Sequence, residues 1–587
     1  MHPSDPRTPA ILLADTRRAA PGPPSPPSDF LGLFLLAAVL EKQGYQARVF
    51  HGPAHEFPAV LEKLCAELRL IAVGFSCDFE NRTAVEELCR LVRRKYRRKT
   101  IVGGPQAIAL GEEFFRTCGC SFAVRGEAEE ILPALVGFLI RGKPALAEIP
   151  GISYLSGGKV IRNADAVPPQ DLDALPFPAY HLSLTPGASY GRTVSTGRGC
   201  PFSCAFCYKD PHGRKVRNRD IGQVIREIRE NLIRNPRLRY LYVSDDTFTA
   251  DPARVTAFCR EIARLHREHD FVWFCEGHVQ PLARRPGMLA ELAEAGLARL
   301  QIGIESLDQD VLDLYNKKGT VEEIEFVVRQ AMQAGIPQVA GNLIVGGPLE
   351  TPERFENLLQ RTRQLLEMAP GALDISTGFL RPYPGTEVTS NPQRFGLRIL
   401  DPEGSSSVDD FPLVVPEGQT AEEVLTRRLR LAAHIRTVMS EALQGGRVPH
   451  ERILSSYRLH YSYGLTSLWK ALVYAENPAL EEYYRLVSRG EAVRLADIPP
   501  GKIGAFHPLR TTELRKNLVF IGEVPHLDGK PFSPLEWEIL LQSSGKQRLD
   551  DMVADLKGRF PQEDLERAAM EVLRKFDAAY LVTFSEY

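Results

Sequence analysis

Twice along this chain, short apolar runs of strand length alternate with helical stretches, and no other feature restricts the fold as much. In the first block, strands are predicted at 11–14, 46–50, 70–76, 100–102 and 122–125, with an apolar helix over 31–43 after the proline-rich loop 21–27. Short apolar strands separated by helices make a parallel sheet covered on both faces. In the second block, strands are predicted at 193–196, 240–244, 272–276, 300–304, 338–345 and 373–379. Six such units predict an open or partial parallel (β/α)6 barrel. Both architectures bind ligands in the loops at the carboxyl ends of their strands. In the first block those loops are 15–29, 76–82, 103–107 and 126–129.

A chain of 587 residues is too long for one core. The α/β pattern divides it into a doubly wound, Rossmann-like domain at 1–145, a linker at 146–190, the barrel at 191–410 and a mostly helical region at 411–587. The linker holds a hairpin turn at Gly157-Gly158 and the breakers Pro168, Pro169, Pro176 and Pro178. From about residue 530, three helices and a final strand form a pattern like a winged helix. Arg427, Arg428 and Arg430 read as a solvated helix face.

The 72 basic residues nearly balance 74 acidic ones, so charge makes no case for nucleic acid or a membrane surface as partner. The longest apolar run, 30–40, is too short to span a bilayer and ends at Glu41 and Lys42. Without a signal-peptide pattern the expected compartment is the cytoplasm, where ten cysteines do not form a disulfide framework. Seven of them lie scattered in apolar contexts as core residues.

The other three are not scattered. Cys200-Pro-Phe-Ser-Cys204-Ala-Phe-Cys207 places three thiols within eight residues, directly after the first barrel strand. Such a loop can wrap one face of a [4Fe-4S] cubane, leaving one iron open. Two other readings compete: a zinc site completed by His212, and three buried structural cysteines. Position at the ligand-binding end of a barrel favours the cluster.

This loop, with Phe206 before its last cysteine, resembles the radical S-adenosylmethionine (SAM) enzymes. The segments Tyr242-Val-Ser-Asp245-Asp246-Thr247-Phe248-Thr249, Ile302-Gly303-Ile304-Glu305-Ser306, Lys318-Gly319-Thr320, Gly346-Gly347-Pro348-Leu349-Glu350-Thr351 and Pro382-Tyr383-Pro384-Gly385-Thr386 follow in the order of the cobalamin-binding, methyltransferase-like branch. The resemblance implies that Ser244, Asp245 and Asp246 contact the methionine part of SAM, and that Glu305 and Ser306 lie at its adenosine end. Helix capping is the competing role for these residues.

The first block resembles the cobalamin-binding domain of the same branch, through 26–33, 73–76, 102–105 and 124–127. Gly103 and Gly104 allow backbone to approach a large flat ligand, and Ser76 is placed to bond the nucleotide tail. Gly126 and Glu127 belong to the same implied site. Relatives with a histidine on cobalt carry Asp-x-His-x-x-Gly after the first strand, whereas Asp15 is followed here by Thr16, Arg17 and Arg18. The resemblance therefore implies cobalamin without a protein histidine on cobalt. Cys77, Asp78 and Arg82 are the candidates for its lower face.

The implied reaction moves a methyl group from SAM by way of methylcobalamin to a carbon or phosphorus centre of a small molecule or peptide. A flavodoxin- or ferredoxin-type protein would donate the electron. The alternatives are a cobalamin-dependent cyclisation or rearrangement, and a binding protein without turnover. A degenerate enzyme would have lost cluster cysteines or the glycine segments, and both are kept. Cys275 and Glu276 end the third barrel strand and are expected to point at the cluster region. Glu276 is the candidate catalytic residue, as a ligand to the open iron or a contact to ribose or substrate.

Overall fold

The computed structural model describes residues 8–17, 31–109, 111–184, 191–208, 213–401, 411–476, 478–512, 518–527, 529–561 and 564–586. Most of the loop 15–29, the residues Pro26–Asp29 among them, and His212 lie outside the described residues. The chain forms two compact units. One holds Met1–Met368 and Ile375–Ile435, the other Ala369–Asp374 and Arg436–Tyr587. The division falls inside the helix Ala421–Gln444 rather than at residue 411.

The first unit contains two large sheets. In the first, β1 (Ala10–Arg17), β2 (Gln46–Pro53), β3 (Leu70–Ser76), β4 (Lys99–Gly103) and β5 (Phe122–Val124) run parallel in the order β2-β1-β3-β4-β5. The apolar residues of Leu31–Lys42 and Ile131–Arg141 pack on one face, and those of Phe57–Glu67, Arg82–Lys95 and Gly111–Cys118 on the other. Coverage on both faces explains why these strands read as unbroken apolar runs.

The hairpin foreseen in the linker belongs to this sheet. β6 (Ile152–Ser156) pairs antiparallel with β5, and β7 (Lys159–Arg162) with β6. Ile152 is fully buried and Tyr154 nearly so. The hairpin buries this apolar side and covers the open edge of β5.

The second sheet has the order β15-β14-β13-β12-β11-β8. It comprises β8 (Gly191–Val194), β11 (Tyr240–Val243), β12 (Val272–Gly277), β13 (Leu297–Glu305), β14 (Gln338–Val345) and β15 (Leu373–Phe379). The first five pair in parallel, as a six-unit partial barrel requires. A two-residue ribbon, β9 (Gly197–Arg198) with β10 (Arg217–Asn218), brackets the cysteine loop. Two residues are too short for any periodic signal, so the ribbon was not foreseen.

Arg427 is not solvated. It pairs at 3.0 Å with Glu350, while Arg428 lies over the Phe379 ring and Arg430 pairs with Glu356.

The second unit is largely helical, with His450–Tyr463 and Pro478–Ser488 among its helices. Its end has the three foreseen helices, at Pro534–Gln542, Leu549–Lys557 and Leu565–Ala578, and the strand Val582–Ser585. A three-stranded meander over 518–531 precedes them and was not foreseen. Among the described residues no helix is long and apolar enough to cross a membrane.

Candidate active site

The cysteine loop is held from several sides. Gly199 has φ +92°, and a Cβ there would stand 2.5 Å from the Lys215 carbonyl. Cys200 N–H donates to Gly213 O (2.9 Å) and Ala205 N–H to Tyr315 O (2.8 Å). Asn316 donates to both oxygens of Ser203, and Phe206 packs edge-on against Tyr315. Cys200 is buried, Cys204 half-buried and Cys207 exposed, and none of the three is in a disulfide. Among the described residues no three His, Cys, Asp or Glu side chains close on one point as the ligands of a single metal ion do. The thiols of a cubane each take a different iron and stand further apart.

The two aspartates after β11 have different roles. Asp245 is fully enclosed and accepts from Thr196 N–H (2.6 Å), Gly197 N–H (3.2 Å) and the Thr196 hydroxyl. It anchors the turn that leads into the cysteine loop. Asp246 faces outward, accepts from Gly199 N–H at 3.2 Å, and lines a cavity together with Ser244. Neither caps the next helix. Asp251 does, accepting from Ala253 and Arg254 N–H.

At the end of β13, Glu305 has φ +60° and pairs at 3.0 Å with Lys317. A Cβ on Gly303 would collide with both charged groups, which explains the glycine in Ile302-Gly303-Ile304. Burial opposes the Lys317 charge, but Glu305 and Cys204 outweigh it and raise its pKa. Burial pushes the Cys204 thiol up to about 11, and Lys317 pulls in the opposite direction. Lys317 was missed because the neighbouring motif begins at Lys318. Ser306 accepts from Asp308 N–H (3.1 Å) in a tight turn before the helix Asp308 caps.

Glu276 receives a 2.7 Å hydrogen bond from the Tyr242 hydroxyl, and Tyr242 stacks on Phe274. Cys275 does not share that face. It is fully buried beside Cys259 of the helix Pro252–His266, because adjacent strand residues point to opposite sides. His278 was not foreseen: its ring lies flat on Phe202 of the cysteine loop, with centroids 3.7 Å apart.

The loops of both sheets meet at a cavity of about 690 Å³. Ser76, Gly103, Gly104 and Gly126 line it from the first sheet, and Gly199, Tyr242, Ser244 and Asp246 from the second. Gly104 has φ +100°, and a Cβ there would meet the Cys77 carbonyl at 2.7 Å. Gly126 has φ +108° with open space where a Cβ would stand.

Glu127 lines this cavity too, but its carboxylate is committed to Arg198 and Arg217. Glu129 also pairs with Arg198, at 2.7 Å. Burial disfavours the Arg198 charge, yet the two glutamates outweigh it and raise its pKa. These pairs tie the loop after β5 to the residue two places before Cys200.

Of the three candidates for a lower face, Asp78 lines a second cavity of about 300 Å³ beside Tyr208 and Tyr383. The Cys77 thiol is buried in the core, and Arg82 turns to Glu86 at 3.1 Å. His51 is paired at 3.0 Å with Asp15.

Fold and site together define a partial-barrel enzyme whose cysteine loop faces a second, nucleotide-type α/β domain. The model of the radical SAM superfamily matches residues 194–362, and that of the B12 binding domain matches 28–136. An uncharacterized methyltransferase of Pyrococcus horikoshii is 27% identical over 383 residues, which is 62% of this chain and 78% of the relative. The anaerobic magnesium-protoporphyrin IX monomethyl ester cyclase of Cereibacter sphaeroides is 30% identical over 241 residues, 40% of this chain and 39% of the cyclase. The chain thus spans about two-fifths of that cyclase's length. The radical SAM methyltransferase TsrM from Kitasatospora setae, solved with cobalamin and a [4Fe-4S] cluster, shares the fold. Its TM-score is 0.60 at 18% identity, with 82% of this chain and 99% of TsrM covered. By these matches the chain combines a radical SAM domain with a B12 binding domain.

The residues present fit the groups this family uses. Three cysteine thiols stand on one pinned loop beside a buried lysine. The cavity of about 690 Å³ is of cofactor size, has a glycine cradle, and carries buried polar atoms on its wall without hydrogen-bond partners, among them Glu129 Oε2.

Proposed function

We propose that this chain is a cobalamin-dependent methyltransferase that moves a methyl group from SAM to a carbon or phosphorus centre of a small molecule or peptide. The observation that carries the reading is the shared cavity: strand ends of the cobalamin-type domain and of the radical SAM barrel line the same space. The Pyrococcus horikoshii relative, named a methyltransferase and matched over 78% of its length, supports it. When bound, the cluster with SAM supplies radical or methyl-donor chemistry, and cobalamin carries a methyl group.

The chain's own residues hold and orient. Cys200, Cys204 and Cys207 would hold the cluster. Lys317 beside Cys204 favours the thiolate that iron requires. Ser244 and Asp246 face the SAM side of the cavity, and Ser76, Gly103, Gly104 and Gly126 the cobalamin side. Tyr242 fixes the direction of Glu276, which contacts ribose or substrate. Of Cys77, Asp78 and Arg82, Asp78 lines a cavity and would be the one to contact bound cobalamin. A flavodoxin- or ferredoxin-type protein supplies the electron.

The test is turnover with deuterated-methyl SAM against pools of metabolites and peptides. Label transfer that depends on added cobalamin supports methylation. Deoxyadenosine without label transfer would instead support ring formation, the reading favoured by the cyclase relative.

The cobalamin side has its own test. Gly126→Val places a branched side chain in open cavity space at a left-handed backbone position. Cobalamin retained after gel filtration is expected to fall about tenfold or more, while iron per chain stays at the wild-type level. Undiminished cobalamin would remove Gly126 from the site.

A further inference from the structure

One wall of the large cavity is apolar, formed by residues such as Leu13, Leu33, Leu36 and Leu132. The part of the lining that comes from the outer edge of the barrel is polar. Thr193 of β8 and Glu227 of the helix Ile221–Arg234 stand there, 4% and 1% exposed. The Thr193 hydroxyl has no hydrogen-bond partner, and neither Glu227 oxygen has a well-aligned one. Arg219 Nη2 lies 2.7 Å from Glu227 Oε2 as an ion pair, which leaves Oε1 open to a further donor. The guanidinium is held elsewhere, donating to Ser195 O at 2.8 Å. A buried acceptor left short of a donor costs about 1–3 kcal/mol, so this wall is built to receive donors from something in the cavity.

We propose that Thr193 and Glu227, backed by Arg219, form a second contact set of the cobalamin site and accept hydrogen bonds from neutral donors on the ligand. Cobalamin offers two sources of such donors: the primary amides around the corrin rim and the ribose hydroxyl of the nucleotide tail. A carboxylate suits either, and it disfavours placing the tail's phosphate at this wall. The apolar wall suits the benzimidazole. Because β8 belongs to the barrel, this contact makes cobalamin a tie between both domains of the first unit. The inference rests on the proposal that cobalamin occupies this cavity.

Titration of the full chain with hydroxocobalamin, followed by visible absorbance, tests it. Thr193→Val removes one acceptor at nearly constant shape, and Glu227→Gln turns one acceptor oxygen into a donor. The dissociation constant is expected to rise about fivefold for the first and about tenfold for the second, with the apo-protein melting temperature of Thr193→Val unchanged. Dicyanocobinamide, which lacks the nucleotide, separates the sources. Equal weakening for both ligands assigns the corrin amides, and weakening for cobalamin alone assigns the ribose. Wild-type affinity in both variants, with only the Glu227→Gln melting temperature lowered, would overturn the proposal and leave Glu227 a structural partner of Arg219. A wild-type chain that binds no cobalamin would instead remove the reading beneath it.

Discussion

Cys204→Ala is expected to yield a folded chain that holds no intact cluster and cleaves no SAM. Two thiolates cannot hold a cubane with one free iron, so the loss should be complete rather than graded. The fold should survive, because the loop is anchored by neighbours and not by the thiol itself. Ala205 bonds to Tyr315, and Ser203 to Asn316, on either side of Cys204. Truncating this half-buried side chain should cost about 1 kcal/mol or less. Iron and sulfide analysis after anaerobic reconstitution, beside circular dichroism, gives the answer. Four irons retained per chain in the variant would sink the ligand assignment.

The second large effect belongs to Asp245. Its substitution by alanine leaves the Thr196 and Gly197 N–H groups and the Thr196 hydroxyl without an acceptor inside the protein. Hydrogen bonds to a charged group are worth about 1.5–3 kcal/mol each, and breaking such a buried set typically costs about 3–5 kcal/mol. That is a large part of the usual stability of about 5–15 kcal/mol. Asp245→Ala is therefore expected to lower the melting temperature strongly and to abolish cluster incorporation. Asp245→Asn keeps one acceptor oxygen and should fold with reduced iron. Normal iron content in the alanine variant would show that the turn before Cys200 does not need this anchor.

Asp245 also marks where reading the sequence stops. The segment was recognisable, and its position after β11 was right, because the apolar strand Tyr240–Val243 ends just before it. Which aspartate lines the cavity was not legible: adjacent residues turn to opposite sides, and only the fold shows which side is inside. The same alternation separates Glu276 from Cys275. The ion pairs of Arg198 with Glu127 and Glu129 join residues 71 and 69 positions apart, a relation no local pattern encodes. The β6–β7 hairpin was legible as a hairpin through Gly157-Gly158, but its pairing with β5 was not. Glycines gave the clearest signal, because Gly104 and Gly126 adopt backbone angles that other residues resist.

The central claim is that a methyl group passes from SAM to cobalamin on this chain, and it can be tested without knowing the final acceptor. Reconstituted full-length protein is incubated anaerobically with cob(I)alamin and deuterated-methyl SAM, and the extracted corrinoid is analysed by mass spectrometry. The account predicts cobalamin carrying a trideuteromethyl group, with S-adenosylhomocysteine formed alongside, and about tenfold less of both at limiting cobalamin when Gly126→Val replaces the wild type. Unlabelled cobalamin after SAM has been consumed to deoxyadenosine and methionine would contradict it.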